Sequence, residues 1–396
     1  MTNFFFAPPD DAVDTKRHAI AAVGRLLLAL LFILSGWSKI SGFEGVAGYI
    51  GSKGTHLPIN LNLNPLSDAL ATQAAVQYKS LIASGLSTTA ADAQTFLNVK
   101  VGNPLSGKLA AGSAYNGSTI SQGQLLRPHP QFANMTDSSF NEGASIYHGL
   151  QASYRKRFRT AGAVLVSYSW SKLIGTVDTN VGFLESTSVG GVQDPNNLAA
   201  SRSLESFDVP QRLVLNYSLT LPFGKGRYWL SNAGPVLDHL ISGWNASSIT
   251  TFQKGFPLVL TAQANDLSTN FGFGGIKPNV LPGCQKAISG PTGSRLSRYF
   301  NTSCFIQPST PFSIGNESRT DSVLRTPGID NWDFALTKDT AIQDRLHMIF
   351  TAQFLNLFNH VQYGQPGGQV GSSLFGVVTS QINNPRQIQF GARVSF

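Results

Sequence analysis

Residues Arg386–Phe396, RQIQFGARVSF, alternate apolar and polar side chains up to the last position. Ile388, Phe390, Ala392, Val394 and Phe396 fall on one face, and Gln387, Gln389, Gly391, Arg393 and Ser395 on the other. A strand with lipid on one side and a polar lumen on the other requires this period-two division. A half-buried strand of a soluble sheet alternates in the same way, so the rest of the chain has to decide between them.

The same alternation recurs upstream. In Ser145–Phe158, Leu150, Ala152, Tyr154 and Phe158 oppose Gln151, Ser153, Arg155 and Arg157, with Lys156 as the exception. After a tight turn at Thr160–Gly162, Val164, Val166, Tyr168 and Trp170 oppose Ser167, Ser169 and Ser171. Leu213, Leu215, Tyr217, Leu219 and Leu221 oppose Arg212, Asn216, Ser218 and Thr220. Trp244 to about Gln263 is strand-like but less regular, and Ile59–Leu63 is a short candidate in which Asn60, Asn62 and Asn64 alternate with apolar residues. Trp332–Leu336 and Leu346–Phe354 complete the series around a turn at Ile342–Asp344.

Links near Thr160 and Asp344 are short and that from Phe223 to Ser242 is moderate, whereas Leu173–Asp208, Ala264–Gly328 and Asn359–Pro385 are long. Transmembrane barrels show this asymmetry, with short periplasmic turns and long extracellular loops. A soluble β-sandwich, the competing fold, has no need of a long loop at every second connection. Charged residues make up only 13% of the chain, yet mean hydropathy is −0.02. Apolar positions diluted by Ser, Thr, Asn, Gln and Gly give that balance. The net charge of +8 comes from scattered Lys and Arg with no basic run, which argues against a nucleic-acid partner.

Several segments carry a family resemblance. Gln124–Phe132 (QLLRPHPQF), Tyr147–Gln151, Lys156–Phe158, Ser167–Lys172 (SYSWSK), Leu221–Gly226 (LPFGKG), Arg325–Gly328 leading into Asn331–Lys338, and Phe354–His360 (FLNLFNH) resemble, in this order, the Oar-like TonB-dependent receptor barrels. The resemblance spans roughly Leu57 to Phe396 and implies the C-terminal part of an outer-membrane receptor that imports ligands too large for porins. Such receptors carry a plug, a TonB-contact segment and about 22 strands. The series here corresponds to roughly eight strands, so the expected fold is an incomplete antiparallel transmembrane β-barrel that stays open, and TonB is not expected as a partner. The expected partners are membrane lipid, the outer-membrane barrel assembly machinery and further barrel strands from another chain. The last strand resembles the signal that this machinery reads, which makes Phe396, Val394 and Phe390 candidate insertion residues.

The N-terminus points elsewhere. Ala19–Trp37 is apolar over about transmembrane length, interrupted by Arg25. Gly24–Gly54 resembles the opening of DoxX-family inner-membrane proteins, although no later segment supplies their remaining helices. A signal peptide is the other reading, with a weak cleavage site at Gly36-Trp37-Ser38. The expected division is therefore a DoxX-like segment at 1–54 with a helix at 19–37, a linker at 55–143 with a possible short strand and helix, and barrel strands at 144–396. The join reads as a chimeric gene, and the alternative function is a DoxX-like inner-membrane protein truncated after its first helix.

Chemical motifs are scarce. Cys284 and Cys304 share one predicted external loop and are expected to form a disulfide in an oxidising compartment, two free thiols being the other reading. The seven His are dispersed and no CxxC or HExxH occurs, so no metal or other cofactor is expected. Gly272, Gly274 and Gly275 superficially suggest a phosphate loop, but no GK[ST] follows and a flexible turn is the better reading. No nucleophile elbow is present, so catalysis is not expected. Asp208, Asp330 and Asp333 read as structural or rim carboxylates. The expected location is the outer membrane, with the inner membrane as the alternative through the N-terminal helix.

Overall fold

The computed structural model describes residues 43–159, 161–176, 191–343 and 346–396. The alternating segments become long antiparallel strands: β1 (Phe43–Asn62), β4 (Thr136–Phe158), β5 (Gly162–Gly175), β7 (Gln211–Thr220), β8 (Trp244–Gln253), β11 (Ile329–Gln343), β12 (Leu346–Leu355) and β13 (Gln387–Ser395). They pair in the order β1-β4-β5-β7-β8-β11-β12-β13, and β6 (Ser203–Leu204) joins β5 to make a nine-stranded sheet. Among the described residues β1 pairs only with β4 and β13 only with β12, so the sheet is open.

Register carries the two faces across the whole sheet. Tyr154 lies opposite Val166, Val166 opposite Leu215, Leu215 opposite Thr250 and Thr250 opposite Trp332. Farther along, Leu336 lies opposite Ala352 and Ala352 opposite Phe390. The other face carries Gln151 opposite Ser169, Ser169 opposite Arg212 and Arg212 opposite Gln253. Val214, Leu165 and Ile249 are apolar exceptions on that polar side. Thr250 and Ser248 are buried on the apolar face because larger cross-strand neighbours, Leu215 with Trp332 and Tyr217 with Phe334, flank them. Among the described residues no second sheet covers either face, which sets aside the sandwich. Trp170, Phe390 and Val394 are each more than half exposed on one apolar surface that only lipid or another protein would cover.

The four long connections, 63–135, 176–210, 254–328 and 356–386, all leave the same end of the sheet. At the other end β4 turns into β5, β7 reaches β8 through helix α4 (Pro235–Ile241), and β11 returns directly into β12 with Gln343 opposite Leu346. The long loops hold the buried core. The first contributes α1 (Asp68–Ala83), α2 (Thr88–Gln94), the ribbon β2 (Lys100–Gly102) with β3 (Thr119–Ser121), and α3 (Gln122–Leu125). The third contributes α5 (Asp266–Asn270) and the ribbon β9 (Asn279–Val280) with β10 (Phe305–Ile306). Leu66, Ala74 and Leu97 of the first loop pack on Leu267, Phe271 and Phe312 of the third, while Leu260, Phe300, Cys304 and Phe305 of the third pack on Val378 of the fourth. Each such large side chain contributes roughly 1.5–3 kcal/mol on burial, so the loops form a cap with its own interior.

Two features of the expected layout are corrected. Residues 43–54, assigned to the DoxX-like segment, are the first half of β1, which pairs with β4 from Phe43 opposite Lys156 to Gly54 opposite Ser145 and runs across the expected 54/55 boundary. Gly45, Gly48, Gly51 and Gly54 fall every third residue there, a spacing that hides the strand period because glycine belongs to neither face. Within the expected linker at 55–143, for which a short strand and a helix were allowed, residues 63–135 fold into α1 to α3 and β2 to β3, and β4 begins at Thr136. The helix expected at 19–37 lies outside the described residues. Among those described, no helix is long and apolar enough to cross a membrane.

Candidate functional site

The cap encloses a polar cavity of about 610 Å³ between the first and third long loops. Asp92 of α2, Asn98, Lys100 of β2, Gln124 of α3, Arg127 and Asp266 of α5 supply its chemistry. The elements that place them are tightly fixed. Ser87 caps α2 by accepting from the Ala90 amide, and Asn265 closes a capping box with Ser268 at the start of α5.

The acidic part of the lining is a coupled pair. Asn98 Nδ2 donates to Asp266 Oδ2 at 2.6 Å and to Asp92 Oδ1 at 3.2 Å, drawing both carboxyl groups to one amide. Burial, and then the neighbouring charge of Asp266, pushes Asp92 from 3.8 up to about 6. Below about 6 Asp92 therefore holds a proton.

The basic part is Arg127, which is only 4% exposed. Its Nε donates to the Asn64 carbonyl at 2.8 Å, Nη1 to Gln124 Oε1 at 3.0 Å and the Asn270 carbonyl at 3.1 Å, and Nη2 to Asn134 Oδ1 at 3.1 Å. Every one of these acceptors is neutral, and burial holds the guanidinium below its ordinary value; an arginine side chain keeps its charge in proteins. The result is a buried cation that meets no carboxylate partner among the described residues, in the wall of a polar cavity. Such a charge is costly unless an anionic group completes its surroundings.

The sequence motifs frame this site. Asn64, from the short Asn-alternating stretch, donates from Nδ2 to the carbonyls of His129 and Phe132 and accepts from the His129 amide, so QLLRPHPQF folds around it. Gln124 adds bonds to the carbonyls of Pro130 and Phe132. Gly272 is not a flexible turn. It adopts a φ of +81°, and a Cβ there would lie 2.6 Å from Asn62 Nδ2 and 2.8 Å from Arg127 Nη2, so only glycine lets α5 close on the cavity. Gly274 packs directly under the Val192 carbonyl. Asp92, Asp266 and Arg127 were not singled out in the sequence as site residues. A capping pattern at 265–268 and an Arg inside the longest motif were the available signals.

The remaining sequence-derived positions lie elsewhere. Cys284 and Cys304 are joined by a disulfide with Cα atoms 5.5 Å apart, Cys304 fully buried against the second apolar cluster. Beside them Lys286 bonds Glu317 Oε2 and Asp321 Oδ2, both at 2.7 Å. Burial alone would lower its pKa, but the two carboxylates outweigh that and hold it above its ordinary value. Asp208 meets Arg325 at 2.6 Å, Asp330 meets His360 at 3.1 Å, and Asp333 accepts from the Asn356 amide at 2.9 Å, so all three fasten loops to strand ends. Phe390 stacks on Phe350 at 6.1 Å, Val394 lies opposite Met348, and Phe396 extends past β13 with its side chain fully exposed. Among the described residues no group of three or more His, Cys, Asp or Glu could hold a metal.

The family model described as "Outer membrane beta barrel domain" matches residues 41–389. No curated protein matches the chain. Among solved structures the chain is similar to the outer membrane transporter YddB from Escherichia coli, with 10% identity and a TM-score of 0.36 over 89% of this chain and 30% of that one. The chain thus spans less than a third of that transporter's length.

Proposed function

This chain belongs to the outer membrane β-barrel domain family and is a protein of the outer membrane; from that premise we propose that it forms barrel wall and external loops of an Oar-like TonB-dependent receptor, and that the loops capture a small polar ligand in the cavity between Arg127 and the Asp92–Asp266 pair. The observation that carries this reading is the buried Arg127, without a carboxylate partner among the described residues, in a polar cavity large enough for a small solute. A carboxylate or phosphate on the ligand would complete the guanidinium, and an ammonium or hydroxyl would meet the acidic pair. The four long loops leave one end of the sheet, where a receptor of this kind meets its ligand. The sequence motifs shared with Oar-like receptors lie at the points that tie those loops to strands, Asn64 to His129 and Asp208 to Arg325 among them. The role assigned is binding and passage, without catalysis.

A thermal-shift screen of the full chain, extracted from outer membranes, tests this with panels of monocarboxylates, amines, amino acids and dipeptides. Stabilisation by a carboxylate-bearing class, lost in Arg127→Gln while heat-modifiable gel mobility is retained, supports the reading. Stabilisation that is unchanged in both Arg127→Gln and Asp92→Asn contradicts it.

A further inference from the structure

A second cavity, of about 630 Å³, opens on the apolar face of the sheet toward its long-loop end. Register places Tyr49 opposite Leu150 and Leu150 opposite Trp170, with His148 opposite Lys172 one step nearer the loops. All five line the cavity together with Arg325. Tyr49 and Trp170 are more than half exposed, 52% and 57%, and present rings where a barrel carries its interfacial aromatic girdle.

The charges around these rings are unequal. Arg325 is neutralised by Asp208, the one carboxylate in the lining, and His148 Nδ1 is engaged by the Tyr49 hydroxyl at 2.5 Å. Among the described residues Lys172 has neither an ion pair nor a side-chain hydrogen bond, so it leaves an uncompensated cation above an apolar floor. On a lipid-facing surface, at the level where chains give way to headgroups, that combination matches an amphiphile with an anionic head.

We propose that this cavity seats the phosphorylated headgroup of an outer-leaflet lipid, with Lys172 on the phosphate and Tyr49, Leu150 and Trp170 against the first methylenes of its chains. The site is separate from the loop cavity and independent of what that cavity binds.

Native mass spectrometry of the full chain, extracted from outer membranes and washed free of lipid, tests it by titration with lipid A, with phosphatidylcholine and with inorganic phosphate. One lipid A should bind in preference to phosphatidylcholine, and inorganic phosphate at the same concentration should not displace it. Lys172→Gln should weaken lipid A binding roughly five- to tenfold, Lys172→Arg should restore it, and Trp170→Ala should weaken it independently. Lipid A binding equal in wild type and Lys172→Gln, both with heat-modifiable mobility, overturns the proposal, as does equal retention of phosphatidylcholine. If Lys172→Gln fails to assemble, unchanged binding by Trp170→Ala overturns it instead. Displacement by inorganic phosphate alone would mark a free-anion site and equally reject the lipid.

Discussion

Arg127 and Asn64 hold the two ends of the first long loop together: the guanidinium Nε donates to the Asn64 carbonyl at 2.8 Å, while the Asn64 side chain bonds the backbone of His129 and Phe132. Asn64 is fully buried, so Asn64→Ala leaves buried partners unsatisfied at about 1–3 kcal/mol for each orphaned group. The expected outcome is a cap cleaved readily within residues 63–135 by limited proteolysis, with the sheet retaining heat-modifiable mobility. Proteolysis at the wild-type rate would show that the loop is held by its apolar contacts alone.

Asp92 makes the cap sensitive to pH. Its folded pKa is raised from 3.8 to about 6, so between those values the folded state binds more protons than the unfolded one and stability falls as pH rises. The contribution is fully present below 3.8 and is lost as pH passes through about 6. Asp92→Asn should be more stable than wild type at pH 7.5 and gain little or nothing at pH 4. Melting curves at the two pH values check the sign, and an advantage of equal size at both would reject the raised pKa of Asp92.

The disulfide closes a 20-residue segment, and in the chain-entropy account such a bridge is worth roughly 3 kcal/mol. Replacing both Cys284 and Cys304 by Ala should loosen the cluster around Phe300 and Phe305 and spare the strands. Hydrogen exchange resolved by segment should therefore rise within 279–306 and remain unchanged in β4 and β5. Alkylation of unreduced protein from outer membranes should find no free thiol.

The sheet was legible in the sequence because its strands have two unlike sides, and period two then survives single exceptions such as Lys156. β1 was not, because its four regularly spaced glycines carry no face and an apolar stretch upstream offered a helical reading. The cap was missed for a different reason. Its core joins Leu66 and Leu97 to Phe271 and Phe312, residues far apart in the chain whose contacts no local period announces. The cavity follows from that long-range packing, so Asp266 reads in isolation as an ordinary residue at a helix start and Asp92 as one near a helix end.

The two faces of the sheet predict opposite tolerance to charge. Phe350 lies on the apolar face opposite Ala392, and its neighbour Thr351 lies on the polar face opposite Gly391. Phe350→Arg should lower the heat-modifiable fraction recovered from outer membranes, in line with about 2–4 kcal/mol for Arg at the bilayer midplane. Thr351→Arg should be recovered as wild type. Equal loss from both would place lipid on neither face in preference to the other.

Phe396 separates assembly from stability. Its side chain is fully exposed and lies beyond the last residue of β13, so deleting it removes no packing and no ladder hydrogen bond. We propose that any effect on recovery then arises before the strand is in place, at a step where assembly machinery reads this strand. We expect deletion of Phe396 to reduce the amount reaching the outer membrane, while the fraction that arrives melts at the wild-type temperature. Phe390→Ala should do both, because Phe390 stacks on Phe350 as well as belonging to the same signal. Wild-type recovery of the Phe396 deletion would remove the terminal aromatic from the insertion signal, and a lowered melting temperature would assign its effect to packing within the folded sheet.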